Sequence, residues 1–290
     1  MASSERVIGS ADALPDGSAG APPGADVWQR ATVAVNGAVR RYWRTGEGEP
    51  LVVLHGGGGV DLAPAYAGLA DVQGAAGGRS VVCLELPGFG ETVADPSLRT
   101  YRQIALDVLA TLDALGFERF SLLGISFGGA VAAWLAAQVP ARVWRLVLVA
   151  PAALRHGEKL PQLAAEAIPG ALRAHPERGG PEPVEPERAV RQTALVGSVW
   201  SASDDLELRA ALDGLDVVTL IVFGLLDGLI PAQTGRAYRR LLPRSTYALV
   251  YDAAHEVARD RPEAFVDLVG DFLERGDAHV VSRTSREINP

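Results

Sequence analysis

The stretch that most constrains this chain runs from Ser121 to Val131, Ser-Leu-Leu-Gly-Ile-Ser-Phe-Gly-Gly-Ala-Val. Phe120 to Leu123 reads as a short buried strand and Ala130 to Val139 as an Ala-rich helix. Between them Ser126 has a glycine two places away on each side. A strand that turns at once into a helix forces its central residue into a strained backbone conformation, and glycines are needed where neighbouring side chains would collide. That geometry lifts a serine hydroxyl off the sheet and points the first amide of the helix at whatever the serine attacks. A Gly-x-Ser-x-Gly pentapeptide is weak evidence alone; the strand before it and the helix after it make it specific.

The strands on either side extend this frame. Asn36-Gly37 between two alternating runs predicts an opening hairpin over Thr32–Val35 and Val39–Arg44. Leu51–Leu54 is a short, wholly apolar run that reads as a strand buried on both faces, Val143–Val149 reads as another buried strand, and Ser80–Leu86, Val217–Phe223 and Thr246–Val250 read as further strands of the sheet. Helical spacing marks Tyr101–Leu115 and a closing helix from Arg261 to Glu274, and Pro231 is expected to open another. The alternation predicts one large α/β domain, with core at 28–151 and 216–275. A leader (1–27) and a tail (276–290) are expected to be irregular. At 152–215 prolines cluster at 176, 181, 183 and 186 and the alternation stops, which predicts an inserted lid.

Composition narrows the function. A net charge of −8 argues against nucleic acid or an anionic membrane as partner. No apolar run approaches spanning length and no signal-peptide pattern opens the chain, so a cytoplasmic protein acting on a small molecule is expected. Oligomeric state has no sequence signal. Cys83 is the single cysteine, so a thiolate metal cluster is excluded; inside an apolar run it reads as a buried structural thiol. No metal or cofactor is expected.

Three reactive residue types, Ser126, Asp227 and His255, each follow a strand directly. Parallel strands present their carboxyl ends on one edge, so these loops can meet. The division of labour expected is Ser126 as nucleophile, His255 as base and then acid, and Asp227 as the group that orients the imidazole. His55-Gly56-Gly57-Gly58-Gly59 offers backbone amides for an oxyanion. Gly57, or else Gly58, is expected to act with the amide of Phe127. His55 reads as a residue that orders the local backbone, Glu85 as a loop-orienting carboxylate, and Asp252 as a loop cap rather than a partner of His255. His156, His175 and His279 are expected in solvent. Gly58, Arg188, Arg191 and Trp200 are the candidates for lining a substrate pocket.

Five segments in order carry a resemblance: His-Gly-Gly-Gly at 55–58, Leu-Pro-Gly-Phe-Gly at 86–90, Gly-Ile-Ser-Phe-Gly-Gly at 124–129, Gly-Leu-Leu-Asp at 224–227 and Ala-His-Glu at 254–256. Together they resemble the α/β-hydrolase superfamily over roughly Thr32 to Glu274. The resemblance implies an α/β fold: a mostly parallel eight-stranded sheet, helices on both faces, and a small, mainly helical lid. It is similar to the group with a lid after the sixth strand, which holds esterases, lactonases, cofactor-free perhydrolases and carbon–carbon bond hydrolases of meta-cleavage products. Serine at 126 argues against the haloalkane dehalogenase and epoxide hydrolase branches. Glu256 stands where meta-cleavage hydrolases generally carry tryptophan. The resemblance implies a serine hydrolase of an ester, lactone or related carbonyl compound. A carbon–carbon hydrolase, a lyase or isomerase, and a carrier-protein thioesterase stay open as alternatives.

Overall fold

A computed structural model describes residues 27–72, 77–92, 95, 97–155, 167–179, 184–199, 204–276 and 278. The expectations for the leader, for His156, Trp200 and His279, and for nearly all of the tail therefore fall outside the described residues. Among those described, no helix is long and apolar enough to cross a membrane.

The described residues open with a hairpin, β1 (Gln29–Val35) and β2 (Ala38–Thr45), joined by Asn36 and Gly37, both at positive φ. Two left-handed residues in a two-residue connection are the turn whose twist matches that of the strands it joins. β3 (Glu49–Leu54), α1 (Pro64–Gly68), β4 (Arg79–Leu84), α2 (Tyr101–Ala114), β5 (Phe120–Ile125), α3 (Phe127–Gln138) and β6 (Val143–Val149) follow. Next come α4 (Ile168–Leu172), a 3-10 turn at Pro176–Arg178, α5 (Pro186–Val199) and α6 (Leu206–Leu212). β7 (Thr219–Gly224), α7 (Thr234–Leu241), β8 (Ser245–Val250), α8 (Val257–Asp260) and α9 (Pro262–Arg275) complete the order.

Among the described residues eight strands form one sheet in the order β1-β2-β4-β3-β5-β6-β7-β8, antiparallel at the β1-β2 and β2-β4 pairings and parallel elsewhere. Period-two alternation divides the strands between two cores. Val52, Leu122, Leu148 and Phe223 pack with α2, α3, α6 and α7 on one face. Leu51, Leu123, Val147 and Val222 pack with α1 and α9 on the other. Both faces are thus covered, which is why these strands are apolar throughout.

Two boundaries differ from expectation. α7 starts at Thr234 rather than at Pro231, whose carbonyl instead accepts the Thr234 amide at 2.8 Å. α6 falls inside the stretch expected as lid, yet Leu208 and Leu212 are fully buried in the first core beside α3 and α7. It therefore belongs to the layer covering the sheet, and α4 and α5 are the described helices above the strand ends.

Candidate active site

The elbow after β5 is made by exclusion. Ser126 sits at φ 51° and ψ −111°, a conformation costly for any residue with a Cβ. Hydrogen bonds hold it there: its amide donates to the Val149 carbonyl at 2.9 Å, and its carbonyl accepts from the Ala152 and Ala130 amides at 3.0 and 3.1 Å. α3 then starts against the strand ends. A Cβ at Gly128 would stand 2.3 Å from the Leu54 carbonyl oxygen, and one at Gly124 would stand 2.4 Å from the Gly128 oxygen. Only glycine permits this approach.

Opposite the elbow, His255 Nδ1 donates to Asp227 Oδ2 at 2.9 Å, and both side chains are buried. The other carboxylate oxygen of Asp227 accepts the amides of Leu229 and Ile230, each at 2.9 Å. The carboxylate is fixed at both ends, which sets the tautomer of His255 and leaves Nε2 as the basic nitrogen. Ser126 and His255 border one cavity of about 390 Å³, walled by Ile125, Val149, Ile168, Leu172, Val196, Leu229 and the Gly56–Gly59 loop among others. In this structure Ser126 Oγ and His255 Nε2 do not hydrogen-bond each other.

Phe127 opens α3, where amides lack an intrahelical acceptor. Gly57 lies under the cap, where an added Cβ would meet Val196 at 3.2 Å, whereas the same position at Gly58 is open. Both glycines border the cavity.

The residues read as structural occupy structural positions. His55 Nε2 accepts the Leu86 amide at 3.1 Å, so Nδ1 carries the proton and donates to the Gly56 carbonyl at 2.7 Å. Burial pulls its pKa down to about 4. Glu85 accepts the Thr92 amide and hydroxyl at 2.8 and 2.6 Å and the Glu91 amide at 3.2 Å. Burial pushes the Cys83 thiol up, so it stays protonated. Asp252, expected to cap its own loop, instead bonds His175, and not His255.

Three expectations need correction. Arg188 and Arg191 lie on α5, but neither borders the cavity. The inward stripe of that helix is Gln192, Val196 and Val199, at spacings of four and three, and Arg191 is turned out to solvent. His175 is not free in solvent: its Nε2 meets Asp252 at 2.9 Å and its Nδ1 meets Glu177 at 3.1 Å, and the two carboxylates raise its pKa.

Other residues had no sequence signal. Asp260 is fully buried, and its carboxylate accepts the amides of Ala174 and His175 at 3.0 and 2.9 Å and of Ala254 at 2.7 Å. The segment after α4 is thereby tied to the loop that carries His255. Asp61, Tyr66, Glu256 and Arg259 also border the cavity. Asp61 and Arg259 form a two-pronged ion pair across 198 positions, and Arg173 stands 3.3 Å from Glu256. Partners so far apart in sequence leave no local pattern.

The alpha/beta hydrolase fold family matches residues 49–177. A pimeloyl-[acyl-carrier protein] methyl ester esterase of Neisseria meningitidis is 30% identical over 222 residues, covering 68% of this chain and 83% of that protein. The chain belongs to the α/β-hydrolase superfamily. A 2-hydroxymuconate semialdehyde hydrolase of a Pseudomonas species is 28% identical over 263 residues, 82% of this chain and 91% of that one. Among solved structures, a meta-cleavage product hydrolase from Pseudomonas fluorescens superposes with a TM-score of 0.66 at 20% identity, covering 83% of this chain and 96% of that chain. In this α/β-hydrolase the residue directly after the histidine is Glu256, part of a charged wall of the cavity.

Proposed function

We propose that this α/β-hydrolase cleaves an ester or lactone of a small, largely apolar acyl group through a covalent acyl-enzyme. Ser126 Oγ attacks the carbonyl carbon while His255 Nε2 takes its proton; the Asp227 carboxylate supports the imidazolium that results. The amides of Phe127 and Gly57 receive the charge that develops on the carbonyl oxygen. His255 returns its proton to the leaving oxygen, then draws one from a water that attacks the acyl-enzyme, releasing the acid and freeing Ser126.

The observation that supports this best is the ordered Asp227–His255 pair opening onto the same apolar cavity as a serine held at φ 51°. No step requires a metal or cofactor. The test is a panel of p-nitrophenyl esters and lactones of graded chain length, run with the wild-type protein and Ser126→Ala, together with labelling by a fluorophosphonate. Turnover lost in Ser126→Ala and a label on Ser126 are expected. Turnover that survives Ser126→Ala but not His255→Ala would mean proton-transfer chemistry without a covalent step.

A second reading draws on the 2-hydroxymuconate semialdehyde hydrolase, which matches over 91% of its length. In that reading the bond cleaved is carbon–carbon, next to a ketone. Hydrolysis of a ring-fission dienol at a higher kcat/KM than any ester would favour it.

A further inference from the structure

The cavity is apolar around Ser126 but polar at one wall. The glycine loop after β3 runs on to Asp61 and Tyr66, and the His255 loop runs into α8 and Arg259, so this wall is built from continuations of the two loops that carry the chemistry. Arg259 Nε donates to Asp61 Oδ2 at 2.9 Å and Nη2 donates to Asp61 Oδ1. The remaining Nη1 has no hydrogen-bond partner among the described residues. Tyr66 is 5% exposed and its ring packs on Phe265. Tyr66 borders the cavity, and its hydroxyl likewise makes no hydrogen bond among the described residues. Burial and the nearby Asp61 raise its pKa, so it is a neutral donor at any physiological pH. In an apolar cavity the few placed polar groups orient a ligand.

We propose that Tyr66, with Arg259 beside it, is a specificity subsite for a neutral oxygen function, a ketone or hydroxyl, on the acyl part of the substrate. Charge decides against an anion: the guanidinium of Arg259 is already committed to Asp61, and Glu256 on the same wall is balanced by Arg173. A carboxylate arriving here would meet no unmatched positive charge. The inference rests on the esterase reading for its reaction but not for its ligand.

Two measurements separate the subsite from the reaction. In the first, p-nitrophenyl alkanoates, their oxo-substituted counterparts and dicarboxylic half-esters of matched length are assayed with wild-type protein and Tyr66→Phe, whose ring keeps its packing. The wild type is expected to favour an oxo ester about tenfold in kcat/KM, the weight of one hydrogen bond, and Tyr66→Phe to bring that ratio close to one. The second is calorimetric binding of the matching oxo and plain alkyl amides to Ser126→Ala and to Ser126→Ala/Tyr66→Phe, where the same ratio is expected without chemistry. A ratio unchanged by Tyr66→Phe in both measurements, or a preference for the half-esters, would overturn the subsite. If Ser126→Ala still turns over esters, the acyl-enzyme reading fails while the binding ratio still decides the subsite.

Discussion

The elbow at Ser126 and the segment from Ala171 to Arg178 both meet the cavity region, and they are held by opposite means. At the elbow, backbone bonds backbone, and the fit comes from side chains that are absent. The stretch from Ala171 to Arg178 is held partly by backbone at the end of α4, with the Gly228 amide on the Ala171 carbonyl and the Glu256 amide on the Leu172 carbonyl. The rest is side-chain charge: Asp260 on two of its amides, His175 between Asp252 and Glu177, and Arg173 beside Glu256. Ser126 is thus set by the packing of uncharged groups, whereas the cap is coupled to the His255 loop partly by charged side chains.

The sharpest way to break this contrast is Gly128→Ala. Its Cβ would enter the backbone of β3, so a loss of at least about 3 kcal/mol is expected, read as poor soluble yield or a collapsed melting transition. A Gly128→Ala protein that folds with wild-type stability would mean that the elbow is not packed as described. Next in size is the acid sensitivity of His55. Its pKa is lowered when folded, so the unfolded chain takes up the proton first as pH falls. Stability is therefore full above pH 6.5 and declines down to about 4, by about 3 kcal/mol in all. Urea titrations across that range should be steeper in pH for the wild type than for His55→Gln; equal slopes would remove the assignment.

On the cap side, Asp260→Asn leaves amides short of an acceptor inside the protein and should cost about 1–3 kcal/mol. Hydrogen exchange would report it as lost protection at Ala174, His175 and Ala254, with the α3 amides unaffected; uniform loss would argue against a local tie. The smallest effect is expected at His175. Its folded pKa is raised, so the clasp is fully formed below the unfolded value and is lost as pH rises through the folded one. Protection of residues 174–175 should fall over that rise in the wild type and show no such step in His175→Gln.

The contrast also explains what was legible. Strand runs, the Asn-Gly turn and the elbow glycines are local requirements, each met within a few residues, and so they can be read along the chain. Asp227 and His255 were readable for a related reason, since residues directly after parallel strands share one edge whatever lies between them. Asp260 had no such mark. It reads as one more acid near a helix start, and its partners at 174 and 175 are about 85 positions away. The arginines of α5 misled because their charge drew notice, while the face of a helix that turns inward follows the stripe of Gln192, Val196 and Val199.

The sequence by itself determined the α/β architecture, the strained serine and the placing of Ser126, Asp227 and His255 directly after strands, because those follow from steric rules acting over short distances. The tertiary structure alone decided which charges share a wall. Asp61 meets Arg259, and Tyr66 comes to the same wall, only through the tertiary fold. Pairing across 198 residues depends on where two loops end in space, and no local rule encodes that.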